Sequence, residues 1–238
     1  MIMKRLLFIP LLLCFITSSG QPTDLFNKAD HFMHQYVNYG LVDYESIHNH
    51  PESLNKLIAE ISAFDIELTD EMTLEAFYIN TYNLLVIKQI IENYPLSSPM
   101  DIDGFFSKTT FNVASKNITL DQFENDIIRT ELKDPRVHFV LVCGAQGCAP
   151  LPSFAYKPEN IEQLLIEQTS KILNDGSFVI LDTLNKRVSV SEIFKWYIED
   201  FTKEGETVID YINRYRKEKI PSGYAVRYYP YDWKTNSQ

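Results

Sequence analysis

The segment DPRVHFVLVCGAQGCAPL, residues 134–151, gathers the side chains most capable of chemistry: His138, Cys143 and Cys148, with Gly144 and Gly147 between the two thiols. A cysteine near an imidazole can ionise and attack a carbonyl carbon or a disulfide, provided a third polar group orients the ring. Residues 137–143 read as a short buried strand, which sets His138 and Cys143, five apart, on opposite faces. His138 then meets Cys148 more readily, because the glycine-containing loop can turn it back. Three readings of the thiols stay open: a Cys143–Cys148 disulfide, two buried inert thiols, or a reactive thiol. The C-x4-C spacing is not the C-x-x-C of a thioredoxin-like site.

Two further features carry polar chemistry. Asn80 and Asn83 stand three apart on the most apolar helix of the chain, so they share a face. A buried carboxamide needs partners for its oxygen and its amine, so the pair either braces backbone or points into a cleft. Glu124 has Leu120, Ile127 and Ile128 as its helical neighbours, which puts its carboxylate on a buried face. Such a group needs a partner, and Arg129, Arg136 and His138 are the candidates.

His31 with His34, and His48 with His50, lack the cysteines or carboxylates that would complete a metal site; no metal and no cofactor is expected. The tail aromatics Tyr228, Tyr229, Tyr231 and Trp233 form either a sugar-binding platform or a packed C-terminal clasp.

The elements that position these groups follow from periodicity and punctuation. Helices are expected over residues 24–38, 51–63 and about 74–93. The last is apolar nearly all round, with Thr69 or Asp70 to cap it and Pro95 to stop it. Thr119 and Gln122 form a capping box for a helix to about Thr130, which Asp134-Pro135 ends. After the strand at 137–143 comes an irregular loop, 144–152, then a helix from Pro158 to about Asn174, a hairpin over 178–190, and helices over 191–200 and 207–216. The expected fold is α+β: a mainly helical single domain with a small sheet formed by strand 137–143 and hairpin 178–190.

The opening MIMKRLLFIPLLLCFITSSGQP has Lys4 and Arg5, an apolar run from Leu6 to Ile16, and small residues ending at Gly20, the order of a cleavable secretory signal. The run covers about eleven residues where a membrane span needs about twenty. Leu13 before Cys14 fits a lipidation signal poorly. Residues 1–20 are therefore expected to be a signal peptide, 21–238 one globular domain without a membrane span, and the protein periplasmic or secreted. The chain is 45% hydrophobic and 13% aromatic, which suits a packed core rather than disorder. Its formal charge of −10 becomes −12 without Lys4 and Arg5, and that balance argues against nucleic acid as a partner.

Six ordered blocks, GLVDY (40–44), AFYINTYN (76–83), DQFENDIIR (121–129), DPRVHFVLVCGAQGCAPL (134–151), SEIFKWYIEDF (191–201) and YPYDWKTN (229–236), together resemble the domain of unknown function numbered 547. The resemblance runs from about residue 32 to 236. It puts weight on Asn80, Asn83, Glu124, Arg129, His138, Cys143, Cys148, Pro150, Trp196, Asp200, Asp232 and Trp233. The chain departs from the family pattern at Tyr78, where Trp is frequent, at Ala149, where Pro is common, and at Asn125, where His often follows the glutamate. Related domains also look cytosolic in eukaryotes, some fused to glutaredoxin-like modules, and a purely structural disulfide does not suit that setting.

The leading expectation is a thiol-dependent hydrolase or acyl-transfer enzyme acting on peptide or envelope material. In it Cys148 is the nucleophile, His138 the base, Glu124 the orienting carboxylate, and Asn80 or Asn83 an amide donor to the developing oxyanion. Cys143, Arg129, Asp200 and Trp233 complete the candidate surroundings. The rival expectation is a non-catalytic exported binding module, with Cys143 and Cys148 disulfide-bonded and the tail aromatics lining a glycan or peptide groove.

Overall fold

A computed structural model describes residues 21–67 and 69–238; the expected signal peptide, residues 1–20, lies outside the described residues. The architecture is α+β and mainly helical. Helix α1 (Gln21–Tyr36) leads into a short pair, β1 (Val37–Asn38) and β2 (Leu41–Val42), then α2 (Tyr44–Asn49) and α3 (Glu52–Ser62). All three helices pack on α4 (Glu71–Glu92).

Asp70 caps α4, its carboxylate accepting from the Thr73 N–H at 2.9 Å. Every residue from Ala76 to Ile87 is buried. Each large apolar side chain placed there contributes about 1.5–3 kcal/mol, so α4 is the axis around which the domain condenses. Any polar group within it must find a partner inside the protein. Among the described residues no helix is long and apolar enough to cross a membrane.

After α4 the chain forms a hairpin, β3 (Thr110–Val113) and β4 (Lys116–Thr119), that hydropathy alone does not reveal. Its two turn residues, Ala114 and Ser115, both have positive φ, 46° and 65°. Such a turn usually carries Asn or Gly, the signal absent here. Thr119 and Gln122 make the expected capping box. Helix α5 (Leu120–Gln122), a π-helical turn (Phe123–Ile128) and α6 (Arg129–Leu132) follow as one continuous helical run.

The expected strand at 137–143 does not form. Asp134 accepts from the Arg136 N–H at 2.8 Å and Pro135 fixes the first turn, so residues Pro135–Phe139 coil into a 3-10 helix. Beyond it the backbone is satisfied by a side chain of α4 in place of a strand. The Asn83 amine donates to Val140 O, and its oxygen accepts from the Val142 N–H, each at 2.9 Å. Asn80 does the same for Tyr156, donating to its carbonyl at 2.7 Å and accepting from its N–H at 2.9 Å. One face of α4 thus holds two irregular segments by carboxamides, and a run as apolar as VHFVLV stays buried without a ladder.

A 3-10 turn at Pro158–Asn160 opens α7 (Ile161–Leu173). The expected hairpin is β5 (Val179–Asp182) against β6 (Arg187–Ser191). The helix expected over 191–200 is two short ones, α8 (Ile193–Trp196) and α9 (Ile198–Phe201), broken at Tyr197. Helix α10 (Val208–Tyr215), capped by Thr207, leads to β7 (Ala225–Tyr229), which adds parallel to β6. The helical crossover between these two parallel strands is the element that carries Trp196, Tyr197 and Asp200 over the 3-10 turn of His138.

The C-terminal tail closes the structure. Gln146 and Gly147 donate to Lys234 O and Asp232 O at 2.7 and 2.8 Å, and Asn236 donates from its backbone to Gly144 O at 3.0 Å. The Val42 N–H donates to Asn236 O at 2.8 Å, tying the same strand of tail to β2. Gly147 is required at this crossing, since a Cβ there would lie 2.9 Å from both Asp232 N and the Tyr231 ring.

Candidate functional site

A cleft of about 220 Å³ opens where the continuous helix α5–α6, the loop after His138, the α8–α9 crossover and the tail converge. Glu124, His138, Cys143, Cys148, Tyr231 and Trp233 all line it, together with Tyr82 of α4 and Tyr197 of the crossover. Among the residues expected at a site, Glu124, His138, Cys143, Cys148 and Trp233 are brought together. Asn80 and Asn83 are not: their carboxamides face the buried backbone at Tyr156 and Val140–Val142, and they brace the scaffold instead of donating to a cleft.

His138 is 4% exposed. Its Nε2 donates to Asp200 Oδ2 at 2.8 Å, and its ring lies against Tyr197, centroids 4.1 Å apart. Asp200 Oδ2 also accepts from Arg129 Nε at 2.8 Å. Burial works to raise the Asp200 carboxyl, but the hydrogen bonds from His138 and Arg129 outweigh it and hold the group well below the usual carboxylate range. An ionised Asp200 fixes Nε2 as the protonated nitrogen, and the other ring nitrogen makes no hydrogen bond among the described residues. The imidazole is therefore oriented by Asp200; Glu124, expected in that role, is engaged elsewhere.

Glu124 is held by two hydroxyls. Tyr82 donates to Oε2 at 2.6 Å and Tyr197 to Oε1 at 2.7 Å. Burial, and then the Glu124 charge itself, pushes both phenols well above their ordinary range, so they remain donors. None of the expected cations pairs with this carboxylate. Arg129 goes to Asp200 and, through Nη1, to Asn125 Oδ1 at 2.7 Å, while Arg136 bridges Asp134 and Glu162. Asn125, at the position where the resemblance leads one to look for histidine, also lines the cleft.

Cys143 and Cys148 form a disulfide, Cα atoms 6.5 Å apart. Because residues 140–143 are irregular and not a pleated strand, the alternation that would have separated Cys143 from His138 does not apply, and both sulfurs face the cleft. The Cys143 N–H donates to Cys148 Sγ at 3.0 Å. The Tyr231 hydroxyl stands 2.9 Å from each sulfur. Tyr231 also packs with Trp196 and Trp233, centroids 5.0 and 4.7 Å away. The tail is thus at once a clasp on the Gly144–Gly147 loop and one wall of the cleft.

Tyr82 and Tyr197 are the residues that sequence patterning overlooks, whereas Tyr231 is expected as one of the tail aromatics but not as a partner of the sulfurs. Tyr82 sits one position before Asn83 on a helix buried all round, and Tyr197 falls at an unexpected helix break, so neither stands out by spacing. Among the described residues no group of three or more His, Cys, Asp or Glu side chains is arranged to hold a metal ion.

No curated protein and no solved structure matches the chain. A family model, Protein of unknown function, DUF547, matches residues 66–173, which carry Tyr82, Glu124, His138, Cys143 and Cys148, whereas Asp200, Tyr231 and Trp233 lie beyond it. Over residues 66–173 the chain is thus similar to this family of proteins of unknown function, DUF547.

Proposed function

We propose that the protein is a thiol-dependent hydrolase or acyl-transfer enzyme acting on peptide or envelope material, with Cys148 as nucleophile once its disulfide is opened. The observation that carries this reading is the sharing of one cleft by the Cys148 sulfur, with hydrogen-bond donors at 2.9 and 3.0 Å, and the His138 ring fixed by Asp200. Two donors aimed at one sulfur favour its thiolate. A carboxylate-oriented imidazole with a free nitrogen is suited to pass a proton. In the reaction His138 takes the Cys148 thiol proton at its free ring nitrogen, the thiolate attacks the acyl carbon, and His138 returns that proton to the leaving group as its bond breaks; His138 then takes a proton from water, which cleaves the thioester and releases the acid, and passes that proton to Cys148. Tyr231, in contact with the attacking sulfur, takes the place of Asn80 and Asn83 as donor to the developing oxyanion.

The test is hydrolysis of a panel of activated esters and short peptides by the reduced protein, by the oxidised protein, and by Cys148→Ala under reductant. Activity confined to the reduced wild type supports the reading. Equal turnover by Cys148→Ala, or none by the reduced protein across the panel, refutes it.

The exposed face of Trp196, 44% accessible and stacked on Trp233, favours a second reading. It is a binding module whose disulfide stays intact and whose aromatic wall receives a glycan or peptide. Quenching of tryptophan fluorescence by oligosaccharides under oxidising conditions, equal in wild type and Cys148→Ala, supports that alternative. We further propose that the protein works as one globular unit, residues 21–238, in the periplasm or outside the cell. Mass spectrometry of protein from its native cells should then find Gln21 at the N-terminus; a chain retaining residues 1–20 counts against export.

A further inference from the structure

The Cys143–Cys148 disulfide has little to do as a staple. It joins residues five apart, and the stabilisation a cross-link supplies by constraining the unfolded chain is small for so short a loop. The same loop is already held by backbone hydrogen bonds from Gln146 and Gly147 to the tail at 2.7 and 2.8 Å. Both cysteines line the cleft, Cys148 at the edge of the buried core and Cys143 packed against it.

The two sulfurs are also unequal. Cys143 is half-buried, while Cys148 is 8% exposed. Cys148 Sγ receives the Cys143 N–H at 3.0 Å, a donor Cys143 Sγ does not have, and the Tyr231 hydroxyl is within 2.9 Å of both. In thiol–disulfide exchange one sulfur must be reached by an incoming thiolate and the other must leave as an anion. Access favours Cys143 as the sulfur attacked, and the fixed amide donor favours Cys148 as the one that leaves.

We propose that the Cys143–Cys148 pair is a thiol–disulfide exchange centre, in which the thiolate of a small neutral or cationic thiol attacks Cys143 and Cys148 departs. The incoming sulfur supplies the electron pair of a new bond to Cys143 Sγ. The Cys143–Cys148 bond breaks, and both its electrons remain on Cys148 Sγ between the Cys143 amide and the Tyr231 hydroxyl. With a dithiol, the second thiolate attacks the incoming sulfur, closes the substrate's own disulfide and releases Cys143. The dithiol is oxidised by two electrons and the cysteine pair is reduced. Of the two protons lost, one goes to Cys143 and one to solvent. The carboxylates of Asp121 and Glu124 in the same cleft disfavour anionic thiols. This activity needs no acyl substrate, so it stands or falls apart from the hydrolase reading, although the same step frees the Cys148 nucleophile.

The experiment titrates the oxidised full chain with cysteamine, quenches with acid, alkylates free thiols and maps the peptides by mass spectrometry. The expected product carries cysteamine on Cys143 and the alkyl label on Cys148, in at least about tenfold excess over the reverse arrangement, as loss of one charge-assisted donor implies. Tyr231→Phe should slow its appearance by about tenfold while leaving the melting temperature near that of wild type. Cysteamine found on Cys148, equal labelling of both sites, an unchanged rate in a folded Tyr231→Phe, or a pair that stays oxidised under excess thiol overturns the proposal. Hydrolase activity is scored with acyl substrates alone, so the two failures are distinguishable.

Discussion

His138 Nε2 and Asp200 Oδ2 meet at 2.8 Å across 62 residues of chain, joined by the helical crossover between β6 and β7. The contact fixes which ring nitrogen faces the carboxylate and leaves the other without a partner among the described residues. Replacing Asp200 by Asn should cost about 1–3 kcal/mol, because His138 and Arg129 both lose a charged acceptor. The folded carboxyl lies below its ordinary value of 3.8, so this contribution is complete above that pH and is lost as pH falls through the folded value. Urea unfolding should show the gap between wild type and Asp200→Asn at neutral pH, narrowing below about pH 3.8. A gap that widens in acid contradicts the assignment.

Asn80 and Asn83 are structural, each closing two hydrogen bonds with the buried backbone of a distant segment. Asn80→Ala and Asn83→Ala should each destabilise by about 2–4 kcal/mol, since two backbone groups lose their partners. Variants within about 0.5 kcal/mol of wild type would show that water or relaxation replaces the brace.

Glu75 stands on α4 near Asp134, Arg136 and Glu162. Burial first, and then the Asp134 charge, pushes its carboxyl up to about 7, with Arg136 opposing. The folded state therefore holds this proton more tightly than the unfolded chain, whose value is near 4.5. Stability from this group is complete below about pH 4.5 and falls as pH rises to about 7. Melting temperatures measured across that interval should decline more in wild type than in Glu75→Gln; parallel curves would contradict the expectation.

Gly147 lets the tail cross the thiol loop. Gly147→Ala should displace Asp232 and Tyr231, lowering stability and moving the hydroxyl off the sulfurs. Its Tyr231-dependent steps should then resemble those of Tyr231→Phe; unaltered exchange kinetics in a folded Gly147→Ala would show that the crossing is looser than its geometry implies.

Local rules made much of this legible. The Asp70 cap, the Thr119–Gln122 box and the hairpin over 178–190 are governed by neighbours a few residues apart, so α4, α5 and β5–β6 are legible directly. VHFVLV reads as a strand but is not one, because hydropathy records burial and not what satisfies the backbone, and here the partner is a side chain 57 residues earlier. The β3–β4 hairpin was hidden by turn residues that adopt positive φ without being Asn or Gly. Cys148, His138 and Glu124 were found by type, but their roles depend on Asp200, Tyr82, Tyr197 and Tyr231, which arrive from distant segments through tertiary packing.

The proposed function requires Cys148 to be a nucleophile served by His138. The direct measurement is the pH dependence of iodoacetamide alkylation at Cys148 in reduced, folded protein, compared with His138→Gln. The expected result is an apparent thiol pKa below the ordinary value of about 8.5 in wild type and a higher one in the variant. A Cys148 that titrates as an ordinary thiol, identically in both proteins, contradicts it.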